Sequence, residues 1–558
     1  MSSPPPKRID VDPDRLREIV RQSRLRPLAV KEHELLEALL ETTLWLTNEL
    51  RSERLSAKRL YRMLFGPSSE KTNVVLANDS EAADSKDATE SEQKGDEDPT
   101  VDGADESCDE SCAKKKRKGH GRNPADAYRG AEKICVSHGS LKPGHSCPAC
   151  LKGKVYRMQQ PKVVVRITGR APLAARVYES ERLRCNLCGV LITAHMPADA
   201  AGPKYDETAA AMIALLRYGY GLAHNRLDKL QRSLGVPLPA STQWKVVKEA
   251  ASSVAPAYDC LVAQSAQGDV IHNDDTKMPV LALTGKRRAR EAPQDDPADR
   301  TGMFTTGIVS LVEGRRIALY FTGRRHAGEN LAKVLKHRDP ARDSPILMCD
   351  GLARNVPKEL STILANCLAH ARRHFVNVAD NFPSECRFVF NKLARVFRNE
   401  AHCHKDNLSG EERLAYHIEH SALVMAELKA WFEAQFEQRT VEPNSGLGQA
   451  FNYMLKRWEA LTLFLRKPGA PLDNNIVERI LKRAICHRNN SLFYKTLEGA
   501  RVGDMYMSLI HTAELCGADP FDYLVALQRY ADAVRLEPAA WMPHNYADAR
   551  ARILDQAA

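Results

Sequence analysis

Strand-length apolar runs in the middle of the chain, a long amphipathic helix near its C-terminus and two CxxC pairs ahead of both predict a multidomain α/β protein. The 558 residues, 43% of them hydrophobic, allow several separate cores. No run of about 18 apolar residues occurs, and MSSPPPKRID lacks the apolar stretch of a secretory signal. A cytoplasmic protein without a membrane span is expected. Fourteen cysteines fit a reducing compartment better than a disulfide framework. The net charge of +10 conceals a division: residues 79–110 hold fourteen Asp/Glu against two Lys, so the rest of the chain carries +22. That surplus calls for a polyanion, and nucleic acid is the obvious partner.

Taken in order, residues 1–71 are a helical, zipper-like segment. Leu36, Leu39, Thr43, Leu46, Leu50, Ala57, Leu60 and Leu64 fall on heptad positions over 31–64, interrupted by Glu53. Self-association and packing within one domain both satisfy that pattern. Residues 72–122 read as a disordered acidic linker running into a basic segment. Its cations, Lys114, Lys115, Lys116, Arg117, Lys118 and Arg122, can lie along phosphates or pair with the acidic run before them.

Residues 131–200 form the zinc-binding, ribbon-like segment. Cys147, Cys150, Cys185 and Cys188 supply four thiolates from two tight turns, a closed tetrahedral set that suits a structural Zn²⁺. The 34 residues between the pairs include VVVRI and ARVYESERLR, which look like hairpin strands. Residues 205–260 are helical. A second helix ending at Gly235 and a third capped by Ser241 leave a helix-turn-helix and a plain packing unit equally open.

The central region, 267–369, reads as strands DVIHNDD, MPVLAL, MFTTGIVSLV and RRIALYFTG, a helix from about His326 to His337, then strands PILMC and ILANCL. That order fits a ribonuclease H-like core, completed by 471–500. A helical insertion, 370–470, separates the two parts, with Arg372 and Arg373 at its entrance as candidate DNA contacts; residues 501–558 are C-terminal helices.

The stretch 471–499 organises the rest. At 100° per residue, Ile476, Val477, Ile480, Leu481, Ala484 and Ile485 share half of a helical wheel, and Glu478 sits just off that stripe. Arg479, Arg483 and Arg488 flank it as candidate DNA-binding cations. A surface pair with Lys482 is the simplest role for a lone Glu. Asp274 and Asp350, each closing an apolar run at an expected strand end, change that weighting. Two acids at strand ends and one on a helix can cage two Mg²⁺ or Mn²⁺ ions, which take oxygen ligands.

The segments IHNDDT, CDG, CLAHARRHF, PLDNNIVERILKRAICHRNNSLF and YMSLIHTAELCGADPFDYL resemble those of the insertion-sequence sixty-six transposases. The resemblance implies a bacterial, nucleoid-associated enzyme that cuts double-stranded DNA at element ends and joins it to a target. It implies Asp274, Asp350 and Glu478 as catalytic metal ligands, with Asp274 bridging. A homo-oligomer and accessory proteins from the same element are implied partners. Two other classes stay open on the residues alone: a DNA-binding regulator, and a metal-dependent nuclease that does not join.

Overall fold

The computed structural model describes residues 33, 142–146, 148, 150, 152–155, 171–184, 191–195, 197–200, 202–287 and 300–557. The zipper-like stretch apart from His33, the linker with its basic segment, and Cys147, Cys185 and Cys188 lie outside the described residues. Two compact units divide the chain, one of residues 86–213 and 223–249, the other of 1–85, 214–222 and 250–558.

In the smaller unit, strands β1 (Arg182–Arg184) and β2 (Leu191–Thr193) pair antiparallel. Ser146 bridges Lys154, and the Val155 N–H donates to the His145 carbonyl at 2.9 Å. Helix α1 (Glu207–Ala214) starts where Asp206 accepts the Ala209 N–H. Helix α2 (His224–Ser233) stops before Gly235, whose φ of +76° suits a residue without Cβ. Helix α3 (Ala240–Ser265) begins one residue before Ser241 and runs past Pro256, so the expected Ser241 cap is not used and the helix outruns its predicted end. Buried Gln243 closes the α2–α3 turn by donating to the carbonyls of His224 and Leu238.

The larger unit is built on a five-stranded mixed sheet in the order β5-β4-β3-β6-β7. Its strands are β3 (Val270–Lys277), β4 (Phe304–Val312), β5 (Arg315–Gly323), β6 (Ile346–Cys349) and β7 (Ile363–Asn366), with α4 (Ala327–Leu335) between β5 and β6. The first three strands run antiparallel, whereas β6 and β7 join β3 in parallel. MPVLAL is not a strand. Val280 makes a lone bridge to Tyr494, and Leu281–Leu283 is a 3-10 turn. Nor do the first two acids both end strands: β3 continues through Asp274 to Lys277, whereas Asp350 directly follows β6.

Six helices follow β7: α5 (Leu368–Val376), α6 (Pro383–Lys405), α7 (Gly410–His420), α8 (Ala422–Glu437), α9 (Gly446–Lys456) and α10 (Trp458–Leu461). The insertion is not a separate ball. Phe375, Phe390, Phe432 and Phe451 share one core cluster with Met348 and Ala365 of the sheet. The chain then returns through α11 (Asn475–Ser491) and α12 (Leu497–Leu515), and closes with α13 (Pro520–Arg529), α14 (Ala531–Leu536) and α15 (Tyr546–Ala557). Asp519 caps α13 through the N–H groups of Phe521 and Asp522, as Asp-Pro predicts.

Helix α12 also serves the sheet directly. Along the edge strand β5, the N–H groups of Ala318, Tyr320 and Thr322 donate to Thr512 Oγ1 (3.1 Å), Ser508 Oγ (3.0 Å) and Asp504 (2.6 Å). Four helical residues rise about 6 Å, close to the advance of two strand residues, so the two periods stay in step. Burial pushes the Asp504 carboxyl up to about 7, against the two bonds it accepts from Thr322.

Candidate active site

Strand alternation separates the adjacent acids of β3. Asp275 is nearly inaccessible and accepts from Thr306 Oγ1 (2.6 Å) and the Ala327 N–H (3.0 Å), with His326 Nδ1 at 3.2 Å. Its carboxylate therefore ties β4 and the start of α4 to β3. Asp274 accepts the N–H of Asp275 at 2.8 Å and belongs to a different environment. Burial pushes its carboxyl up to about 7, and the charges of Asp350, Asp275 and Glu478 push the same way. The structure thus brings Asp350 and Glu478 within electrostatic reach of Asp274.

Asp350 is fixed by the turn that follows it, accepting the Leu352 N–H and the Asn355 side-chain amide. Asn355 is buried, and its carbonyl accepts from Asn273 Nδ2 at 2.7 Å, which links this turn to β3 beside Asp274. Arg457 and Tyr453 of the insertion pack close over Gly351, where a Cβ would meet their side chains within 3 Å and make them shift.

Helix α11 carries Glu478 on the edge of its buried face, as the wheel predicts: Val477, Ile480, Leu481 and Ala484 are buried. Ile476 and Ile485 are half-buried instead, and His487 takes the last buried position. Three contacts fix the helix on the sheet. Asn474 donates to the Asn273 carbonyl at 3.0 Å and faces His272 Nδ1 at 3.0 Å. Gly307, opposite Asp274 in β4, leaves room for Leu481, which a Cβ would meet at 2.9 Å. The Tyr320 hydroxyl donates to the Ile480 carbonyl. Burial pushes the His272 imidazole down to about 4, so it is neutral beneath the acids at physiological pH.

Glu478 is gripped from α5. Arg373 donates to both its oxygens (3.3 and 3.1 Å), and His370 Nε2 lies 3.5 Å from Oε1. Sequence reasoning placed Arg373 at the entrance of the insertion as a DNA contact and missed this pair, along with Asn474, Gly307 and Asn355. The Asn pair in LDNN was legible as a helix start, not as a strap across to β3.

Residues 203–502 match the family model described as Transposase IS66 family. The chain belongs to that family. Curated relatives agree in extent: protein y4jD of Sinorhizobium fredii (strain NBRC 101917 / NGR234) is 28% identical over 405 residues, covering 69% of this chain and 74% of the relative. Protein y4hP of the same strain is 25% identical over 418 residues, 70% of this chain and 72% of its own. Both carry the printed description "uncharacterized".

The expected DNA-binding cations of this IS66-family transposase take varied positions. Arg479 is exposed; Arg483 pairs with Glu514 at 2.7 Å; Arg488 donates to Thr276 and the Lys277 carbonyl; Arg372 lies over the Phe390 ring at 4.8 Å. Lys114, Lys115, Lys116, Arg117, Lys118 and Arg122 lie outside the described residues. Of the zinc set, Cys150 is described and exposed. Among the described residues no helix is long and apolar enough to cross a membrane.

A second acid cluster lies in the insertion. Glu400, Cys403 and His417 bring ligand atoms within 4.8 Å of one another. Arg413 donates to both oxygens of Glu400 (2.8 and 2.7 Å), with His417 at 2.9 Å and His404 at 3.0 Å. Burial opposes the Glu400 charge, but these donors outweigh it and hold the carboxyl down at about 2. Glu400 is the one carboxylate of the group and three donors already answer it, so the cluster is a polar lock between α6 and α7.

Proposed function

We propose that this IS66-family protein is a DNA transposase that cleaves at the ends of its element and transfers the cut strand to target DNA. The observation that carries the reading is the carboxylate group at the sheet: three acids from β3, the turn after β6 and α11, with Asp274 held up near 7 by burial and its acidic neighbours. Like charges gathered in a partly buried site are a donor set for hard divalent cations. Asp274, Asp350 and Glu478 would hold two Mg²⁺ or Mn²⁺ ions, Glu478 by exchanging the Arg373 guanidinium for the ion, and such ions would supply activation of the attacking oxygen and stabilisation of the leaving oxygen. The mixed strand order, with acids on β3 and after β6, supports a ribonuclease H-like core.

The protein's own groups do the positioning. Asn474 and Gly307 hold α11 against β3, Asn355 orients Asp350, and Arg373 with His370 orients Glu478. Asp275 stiffens the strand below the site through α4. Outside the core, Cys147, Cys150, Cys185 and Cys188 would hold a structural Zn²⁺, and residues 31–64 would bring protomers together so that two DNA ends can be paired. Metal analysis of the purified chain should return about one zinc per protomer; none would overturn that part of the reading.

The deciding experiment incubates purified protein with DNA from the flanks of the reading frame and a supercoiled target. Joined product in Mg²⁺, lost in Asp274→Asn, Asp350→Asn and Glu478→Gln but only reduced in Asp275→Asn, is the expected result. Cutting without joining would make the protein a nuclease, and binding without either would make it a regulator.

A further inference from the structure

Beside the acids lies a cleft of ≈ 590 Å³ that none of the expected DNA contacts line. One wall is α4 with the segment entering it, and the other is the turn after β6. Six cations line it, Arg300, Arg325, Lys333, Lys336, Arg354 and Lys358, against two carboxylates, Glu329 and Glu359. Glu329 is already committed: it pairs with Arg300 and accepts the His326 N–H at 2.9 Å as part of the α4 capping box. The walls meet at Gly328, where a Cβ would strike the Val356 carbonyl at 2.5 Å, so no side chain closes the floor.

Each wall connects to one of the acids through a single residue. On the α4 side, the Ala327 N–H and His326 bind Asp275, the neighbour of Asp274. On the other side, Arg354 and Val356 flank Asn355, whose amide holds Asp350. The cleft therefore meets the carboxylate cluster at Asp350, through Asn355, while its α4 wall rests on Asp275 at the opposite face of β3 from Asp274.

We propose that this cleft binds the sugar-phosphate backbone of a DNA strand next to the reacting phosphate, with Lys333 and Lys336, one helical turn apart on the exposed face of α4, as phosphate contacts. Two cations three residues apart on a helix lie about 5–6 Å from one another, near the spacing of successive phosphates on a strand. The contacts read charge and not base identity, so the cleft holds any sequence. This rests on the transposase reading for its substrate class, but binding is separable from chemistry.

The test uses the full chain carrying Asp274→Asn, so that DNA stays uncut, with and without Lys333→Ala plus Lys336→Ala. Fluorescence anisotropy follows a labelled arbitrary duplex and a duplex from the element flank across a salt titration. Losing two phosphate contacts should reduce the slope of log K against log salt by about 1.8 and weaken binding at about 0.1 M salt by roughly tenfold or more. Lys429→Ala on the remote face of the insertion should change neither. Equal losses on both duplexes are expected of a cleft that holds any DNA backbone, and a loss confined to the flank duplex would overturn its sequence independence. Slope and affinity matching the parent on both would overturn the cleft assignment while leaving the transposase reading intact. Strand transfer surviving Asp274→Asn alone would overturn that reading whatever the cleft binds.

Discussion

Two groups of buried acid in the larger unit are opposites. At the sheet, Asp274 sits among other carboxylates and its carboxyl is pushed up to about 7. In the insertion, Glu400 sits among Arg413, His417 and His404 and is held down at about 2. Burial raises both, so the neighbours decide the sign. An acid whose charge is already answered holds the fold together; an acid crowded by its own kind stores a cost that a cation can relieve. Burial raises Asp275, one residue from Asp274, as well, and what sets it apart is the structural network it accepts from Thr306, Ala327 and His326.

The sharpest way to break this contrast is catalytic. Asp274→Asn or Glu478→Gln should lower strand cleavage at least about 10³-fold, roughly 4 kcal/mol of barrier, with duplex affinity unchanged in an anisotropy assay. Glu400→Ala should leave chemistry per folded molecule intact but cost on the order of 3 kcal/mol in denaturant unfolding, because Arg413 loses its buried partner. Acid titration sharpens the difference further. Glu400 has a depressed folded pKa, so its stabilisation is complete above about 4.5 and is lost as pH falls toward 2, a loss that Glu400→Gln should remove from the melting profile. Asp274 has the reverse sign: its folded pKa is raised, so stability present below about 4 is lost as pH rises through 7. Without divalent ions, Asp274→Asn should then be more stable than the parent at pH 8 by on the order of 1 kcal/mol, and no more stable at pH 4. A gain at both pH values would mean that electrostatic relief is not the cause.

Much of this was legible in the chain. β5 spans the residues of RRIALYFTG, and PILMC announced the acid that follows β6, because apolar runs ending in a charge mark where a strand leaves the core. The α11 stripe was legible because one helix needs no long-range information. MPVLAL failed for the complementary reason: its apolar residues pack as a 3-10 turn against Tyr494, which is more than two hundred residues away in the chain. The Glu400 lock and the basic cleft were hidden likewise. Arg413 and His417 belong to the next helix, and the cleft gathers cations from residue 300 to residue 358 that no local spacing connects.

Helix α12 shows what the chain would lose with residues 497–558. Thr512, Ser508 and Asp504 occupy the N–H groups of β5 that would otherwise template another strand, and Tyr320, held in that row, reaches across to α11 through the Ile480 carbonyl. A copy shortened before α12 would expose a sticky β edge and slacken the helix that bears Glu478. Such a fragment would not be an inert remnant. It would be prone to aggregate through its open edge, so the C-terminal helices act as the seal on the catalytic sheet.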